Sequence, residues 1–522
     1  MSDTPATLNA FSLEEVRRCT EILHAIVKNR DLLADVPVEE RRKLLTAAGR
    51  MSRPTSPEER TLSRAFRRGE RRKTRQHDRS VIKGTEIRAA RENAVFVAPQ
   101  LSAPAQPQTE RELKVPKNCY VCKQPYTRLH FFYDSMCPAC ATFNYAKRHQ
   151  TAPLDGRVAL ITGSRVKIGF HAALKVLRAG GSVITTTRFP HDAALRFSRE
   201  EDFNLWGSRL KIFGLDLRHA PSVEIFARYM NQTCERLDLL INNAAQTVRR
   251  PPGFYAHLLA GEVQPLQALP AAAQELLRDY EICKTAVERS SGILPASSEH
   301  AGRLPALPAE WNGIASGLAA GLRTPAQLSQ LQYEMEEHLG SAELFPAGRT
   351  DADLQQIDLR TQNSWRMTLA EVPTPELLEV QLVNAVAPFI LCSRLKPLMM
   401  RHRTGEKHIV NVSAMEGIFS RGTKTDKHPH TNMAKAALNM MTLTSAPDFA
   451  RDGIFMNAVD TGWVTDEDPI QHAERKKSEL DFQPPLDIVD GAARICDPFF
   501  AGLLSGVHLS GKFLKDYMPS NW

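Results

Sequence analysis

The sequence predicts an α/β protein built on a doubly wound parallel sheet, accompanied by a helical and basic N-terminal region, a small metal-binding module and a long insert. Three observations predict it. From Asp155 onward, short β-branched runs alternate with helical patterns, as in a parallel sheet with crossover helices. A glycine-bearing turn follows the first of those runs and opens a helix. Four of the nine cysteines fall in one tight cluster while the other five stand singly, which is no disulfide framework.

A chain of 522 residues exceeds one ordinary core, so two or three folded units joined by linkers are expected. The net charge of +8 is local: residues 41 to 91 hold 17 Lys or Arg against 5 Asp or Glu, which leaves the remainder net acidic. No run of about eighteen apolar residues marks a membrane span. Asp3, Glu14 and Glu15 stand where a secretory signal would carry positive charge and then an apolar stretch. The expectation is a cytoplasmic protein that does not associate with a membrane.

Residues 1–97 read as a helical region with a basic arm. Leu13, Val16, Cys19, Ile22, Leu23 and Ile26 recur at helical spacing, so residues 11 to 48 form two short amphipathic helices, the second beginning at Pro37. From Pro54 to Arg91 the chain is Arg-rich with few large apolar residues, and residues 98–116 form a Pro/Gln/Ala linker. The nine Lys or Arg between residues 60 and 79 suit an acidic protein partner or nucleic acid. Phe66 is nearly alone as a stacking aromatic there, so nucleic acid is the weaker of the two.

Residues 117–150 form the metal-binding module. Cys119-x2-Cys122 and Cys137-x2-Cys140, fourteen residues apart, have the spacing of a four-cysteine zinc site. Four protein ligands leave no open coordination position, so structural Zn2+ is expected rather than catalytic metal, with redox-active pairs as the second reading. Pro138 and the stretch from Ala141 to Lys147 predict that the second pair opens a helix. The run Phe131-Phe132-Tyr133 packs over the site or docks it on a neighbour.

The sheet domain comprises residues 151–249 and 358–522. Strands are predicted at Val158 to Thr162, Val183 to Thr187, Leu210 to Leu215, Leu237 to Asn242, His408 to Val412, Ile454 to Val459 and His508 to Lys512. Between the fourth and fifth, residues 250–357 exceed what a crossover needs. They read as a partly helical, flexible insert with helices at Ala271 to Val287 and Ala326 to Leu339.

After the first strand stands Thr162-Gly163-Ser164-Arg165-Val166-Lys167-Ile168-Gly169, where a pyrophosphate meets the free N–H groups and positive dipole end of a helix. Asp216-Leu217 follows the third strand, and Asn242-Asn243-Ala244-Ala245 follows the fourth. In this order the landmarks resemble the short-chain dehydrogenase/reductase superfamily. Lys167 replaces the middle glycine of its Thr-Gly-x-x-x-Gly-x-Gly turn and Ala245 the glycine of its Asn-Asn-Ala-Gly turn. The resemblance covers about half the chain and implies a Rossmann fold binding a nicotinamide dinucleotide. At the end of the second strand Arg188 stands where NAD-preferring relatives carry an acid, which favours a 2′-phosphate and hence NADP(H). Arg165 and Lys167 add positive charge nearby.

The resemblance further implies a catalytic Asn, Ser, Tyr and Lys, with proton transfer from a titratable group beside the carbonyl. Asn384 and Lys435 match, and Lys435 also binds ribose in that family. Thr431 occupies the tyrosine position and Ala414 the serine position, with Ser413 one residue before it. His430 is the leading replacement acid/base, since imidazole titrates near neutrality; the alternative is a histidine in a polar loop. Gly462, Val464 and Thr465 match the turn beside the nicotinamide, Thr461 replacing its proline. The implied function is an NADP(H)-dependent oxidoreductase acting on a small-molecule carbonyl or alcohol. The alternative is a catalytically inactive NADP(H)-binding scaffold that recruits protein partners through its zinc module and basic arm. A homo-oligomer is an open expectation.

Overall fold

The computed structural model describes residues 11–92, 111–290, 317, 319–333, 343–351 and 353–522. Two compact units divide at His77 and Asp78. In the first, the helices Leu13–Lys28 and Val38–Ser52 bury no residue. A reciprocal cap between Ser12 and Glu15 starts the former. The Arg-rich stretch, for which the sequence promised no core, is a continuous helix, Ser56–Lys83, with only Ile82 buried. Arg, Lys, Glu and Ala are good helix formers, and Thr55 with Glu58 caps its start.

The second unit centres on an eight-stranded sheet. Its strands are β3 (Val158–Thr162), β4 (Ser182–Thr187), β5 (Leu210–Gly214), β6 (Leu239–Asn242), β7 (Lys407–Ser413), β8 (Ile454–Asp460), β9 (Phe513–Lys515) and β10 (Met518–Ser520), in the order β10-β9-β8-β7-β6-β3-β4-β5. All pairings are parallel except β10 with β9. The chain thus starts mid-sheet, winds one way to β5, crosses back and winds the other way from β6. The crevice opens where the order reverses, between β3 and β6.

Six of the seven predicted strands are present within a residue or two. The last is displaced: His508 to Lys512 is a loop that turns at Gly511 (φ +66°), and pairing with β8 begins only at Phe513. Side-chain hydrogen bonds account for it, because Asn457 donates to the Leu509 carbonyl and accepts from the Lys512 N–H.

Helices clad the sheet in two layers, Lys167–Arg178 packing with Ile488–Ser505 and Ala220–Thr233 with Ala387–Met400. Leu160, Ile161, Val183, Ile212, Leu240 and Ile409 are almost wholly buried between them, which explains the near-continuous apolar strands. The stretch Thr374–Met400 is long and apolar enough to cross a membrane by length and composition. Yet Leu391, Leu395 and Met399 lie in the core, as befits a sheet-covering helix.

The insert behaves differently from a flexible excursion in its described part. The helix Ala271–Ser290 seals the β5 edge, sinking Leu276, Leu277 and Tyr280 into the main core. The Tyr280 hydroxyl donates to the Leu322 carbonyl at 2.6 Å and lies over Gly214, where a methyl group would collide with it. Of the second predicted insert helix only Pro325–Leu328 forms within the described residues, and part of that stretch lies outside them.

The cysteine module is a hairpin of β1 (Arg111–Asn118) and β2 (Pro125–Leu129) followed by the helix Pro138–His149. β1 takes up the end of the stretch read as linker, because Asp78 accepts the Lys114 and Val115 N–H groups and β2 pairs with the rest. Cys137 is the N-cap of the helix and Pro138 its first residue, as the sequence suggested.

Candidate functional site

A cavity of about 520 Å³ lies at the carboxyl ends of β3 to β6. Its floor is the turn after β3. Gly163 adopts φ +71° with its N–H donating to the Thr186 carbonyl, and a Cβ there would sit 2.8 Å from the Ala244 Cα. The Asn243 side chain donates to the carbonyls of Thr162 and Gly163 at 2.9 and 3.1 Å, and the Ala244 N–H donates to the Thr162 hydroxyl. Gly169, opening the helix, has no room for a methyl group: Asn243 Nδ2 and the Gly163 oxygen stand 2.4 Å from where it would lie. Close backbone approach therefore frees the helix N-terminus for an anion. Lys167 takes φ +56°, so the backbone retains the glycine-like conformation although the glycine is gone.

Of the predicted cofactor residues, Gly163, Arg165, Ile168, Gly169, Arg188, Asp216, Leu217, Asn243, Ala244 and Thr465 line this cavity. Thr162, Ser164, Asn242, Lys435, Gly462 and Val464 do not. Thr162 and Ser164 brace the turn from beneath. Asn242 points into the core toward Asn411 and Cys392, and Val464 faces the cysteine module.

The cations around the cavity differ in how far they are neutralised. Arg165 is buried on Asp192 at 2.7 Å, and Lys167 lies 3.9 Å from Asp353, so the turn adds less free charge than its sequence suggests. Asp216 accepts from Arg218 through both oxygens, Arg218 also reaching Glu379. Arg250 and Arg360 share Asp358. Among the described residues, Arg188 makes no ion pair, although against burial its charge adds to that of Arg218 in holding the Asp216 carboxyl below its usual value. It donates to the Tyr255 hydroxyl at 2.7 Å and lies against the rings of Tyr255 and Phe189. Burial opposes a Tyr255 phenolate, but Arg188, Arg250 and Arg165 together hold that hydroxyl below its usual value. Tyr255 and Arg250 escaped the sequence reading. The hint in the sequence was an Arg-Arg pair and two aromatics within ten residues after the Asn-Asn-Ala-Ala turn.

The catalytic candidates lie behind the cavity. Asn384 sits in a π-helical turn, Leu382–Val386, and clasps the Gln246 backbone through both of its amide atoms. Ser413 donates to Asn439 at 2.5 Å. Thr431 donates to the Thr247 carbonyl at 3.3 Å, and the buried His430 imidazole stands 3.5 Å from the same hydroxyl. Burial, with His428 adding to it, pushes His430 down to about 4, so the ring is neutral at neutral pH. Lys435 donates to the Val412 carbonyl at 2.8 Å. Burial pushes it down to about 8 against the pull of Glu416 and Asp460. The segment from Gln246 to Arg249 covers this corner, pinned by Glu379, which accepts from Gln246 and Arg249.

The short chain dehydrogenase profile matches residues 157–258, and the enoyl-(acyl carrier protein) reductase profile matches residues 352–486. The chain belongs to the short-chain dehydrogenase/reductase superfamily. This short-chain dehydrogenase/reductase is 29% identical over 395 residues to an uncharacterized protein of Acanthamoeba polyphaga mimivirus, covering 73% of this chain and 71% of that one. It is 34% identical over 96 residues to retinol dehydrogenase 13 of Mus musculus, covering 18% of this chain and only 28% of the relative. Among solved structures it is similar to an NADP complex of RhlG from Pseudomonas aeruginosa (16% identity, TM-score 0.40, 69% of this chain and 94% of that one). It is also similar to an NADPH-bound carbonyl reductase from chicken fatty liver (16% identity, TM-score 0.39, 71% and 100%).

The cysteine module stands at one edge of the oxidoreductase domain. The sulfurs of Cys119, Cys122, Cys137 and Cys140 all lie within 4.8 Å of one another, Cys122 and Cys137 at 3.8 Å. A tetrahedron of thiolates at Zn–S ≈ 2.3 Å has edges of roughly 3.8 Å. The four sulfurs are therefore placed to hold one tetrahedral metal ion.

Proposed function

We propose that the chain binds NADP(H) across the carboxyl ends of β3 to β6 and acts as an oxidoreductase on a carbonyl or alcohol, with structural Zn2+ in its four-cysteine module. One observation carries the cofactor choice: among the described residues, Arg188 is the cavity cation that makes no ion pair, and no acid stands at the end of β4 to repel a phosphate. A guanidinium outside any ion pair costs less to desolvate once a phosphate oxygen meets it, and charge-assisted hydrogen bonds of this kind are the strong ones. The Tyr255 hydroxyl and Arg250 flank the same place. Bound NADPH would supply the hydride.

The accompanying proton has one candidate donor near neutrality, the Lys435 ammonium, whereas the neutral His430 imidazole beside the Thr431 hydroxyl can only accept a proton, in the direction of alcohol oxidation. The Thr431 hydroxyl is taken up by the Thr247 carbonyl, so its use in turnover requires that contact to open. The closure of that corner, with Thr431 on Thr247 and Ser413 on Asn439, favours a second reading in which the domain binds NADP(H) without turning over.

Fluorescence titration with NADPH and NADH, on wild type and Arg188→Ala, tests the first part. NADPH should bind more tightly than NADH, and the variant should lose about ten- to a hundredfold in NADPH affinity with NADH little changed. Equal affinities in the wild type would refute the choice of NADP(H). Hydride-transfer assays over a carbonyl panel, on wild type, Lys435→Ala and His430→Ala, then separate the readings. Tight NADPH binding without turnover of any substrate leaves the binding module standing.

A further inference from the structure

The cysteine module holds one wall of the nucleotide cavity in place. Tyr120 lies between two of the clustered cysteines, and its hydroxyl accepts the Trp463 N–H at 3.0 Å. Val464, the next residue, shares an apolar cluster with Cys119, Tyr126, Tyr133, Leu486 and Ile488. Beyond it Thr465 faces the cavity, as does Ile488 from the other side of the same cluster. A side chain packed on the cysteine module is therefore followed directly in the chain by one that lines the nucleotide site.

A second strut runs parallel to the first. Arg148, on the helix that carries Cys140, is buried against Asp487 at 2.6 Å and Asp490 at 2.8 Å, and the Tyr133 hydroxyl donates to Asp490 at 2.5 Å. Asp487 is the N-cap of the helix Ile488–Ser505. The end of that helix beside the cavity is thus anchored by residues of the metal module. A hairpin and one helix make a small core of their own, and an ion held by the four sulfurs would cross-link them.

We propose that metal occupancy of the four-cysteine site sets the affinity of the nucleotide cavity, with Tyr120 as the positioning residue that transmits it to the turn from Trp463 to Thr465. The proposal rests on the zinc and NADP(H) readings above. Linkage makes the coupling reciprocal: whatever factor the metal adds to nucleotide affinity, the nucleotide adds to metal affinity.

The test uses the full chain, with zinc content measured per chain and NADPH binding followed by fluorescence. Removing zinc with a chelator, at unchanged far-ultraviolet circular dichroism, should weaken NADPH binding at least tenfold. Tyr120→Phe, retaining one zinc per chain, should weaken it three- to tenfold. In equilibrium competition with the chelator, saturating NADPH should tighten zinc retention in the wild type by the same factor as zinc tightens NADPH. The Tyr120→Phe chain should show a smaller factor in both directions, which a merely structural tyrosine would not produce. A folded zinc-free chain with unchanged NADPH affinity, or zinc retention indifferent to NADPH, overturns the coupling. Should chelation unfold the chain, Tyr120→Phe decides, and wild-type behaviour in both titrations overturns the role of Tyr120. A purified chain that takes up no zinc refutes the metal reading, whereas a zinc-loaded chain that binds neither nucleotide refutes the NADP(H) reading. Either result removes the proposal with it.

Discussion

At the glycine turn that floors the cavity, Gly163, Gly169 and Asn243 are locked to the backbone around them, whereas at the corner of the catalytic candidates Ser413, Thr431 and Lys435 have turned to partners of their own. The first region is specified by where backbone can go, and it survives the replacement of a glycine by Lys167 because the chain still takes a positive φ. The second depends on which side chain stands at each position. Thr431, at the position where the family resemblance implies a tyrosine, donates to the Thr247 carbonyl. The comparison teaches that the proposed cofactor grip and the proposed proton chemistry are separable, since they rest on different kinds of constraint.

The strongest way to break the comparison is at Gly169. A methyl group there meets the Asn243 amide and the Gly163 oxygen at 2.4 Å, and Asn243 cannot swing aside without giving up its two hydrogen bonds. Gly169→Val should abolish measurable NADPH binding and cost roughly 3 kcal/mol in urea unfolding, the upper end of what overpacking does. Retained binding would mean that the phosphate end is not built on backbone approach.

Lys435 probes the other region through pH. Folding depresses its pKa from 10.5 to about 8, so between those values the unfolded chain holds a proton that the folded chain has shed. Stability contributed by this group therefore rises as pH climbs from about 8 toward 10.5, and below 8 both states are protonated and the slope vanishes. At about 1.4 kcal/mol per unit, the gain from pH 8 to pH 10 is about 2 kcal/mol. Urea unfolding of wild type and Lys435→Met at the two pH values should differ by that increment. A pair of parallel pH profiles would place the ammonium in water rather than on the Val412 carbonyl.

Much of this was legible in the sequence, and the misses share a cause. β3 to β8 could be read because strands covered on both faces must be apolar almost throughout. Arg188 could be read because strand ends fall at fixed places in the sheet. By contrast, that Arg165 is spent on Asp192, 27 residues away, is decided by tertiary contacts. So is the role of the insert, whose Ala- and Leu-rich composition suits either a loose excursion or a helix sealed on Gly214 by Tyr280. The missing tyrosine is visible in one line of sequence, while the closure it permits needs Thr247, Asn384 and Glu379 brought together from distant segments. Within the cysteine module, the spacing announced the clustering of the four sulfurs. The Tyr120 and Arg148 contacts that tie it to the nucleotide wall span more than 300 residues of chain and left no local trace.

Ser413 gives the finest test of the contrast. Its hydroxyl is buried and donates to Asn439 Oδ1, while the amide of Asn439 is held on the Gly417 carbonyl. Ser413→Ala leaves that buried oxygen without a donor, an omission worth about 1 to 2 kcal/mol. The loss should appear in unfolding curves, with NADPH affinity changed less than twofold because the hydroxyl lies outside the cavity. A serine aimed at substrate would give the opposite pattern, with stability untouched and turnover lost. If Ser413→Ala is as stable as wild type, the closed corner is a resting arrangement from which the serine swings free, and the two regions of the cleft are less separate than their contacts indicate.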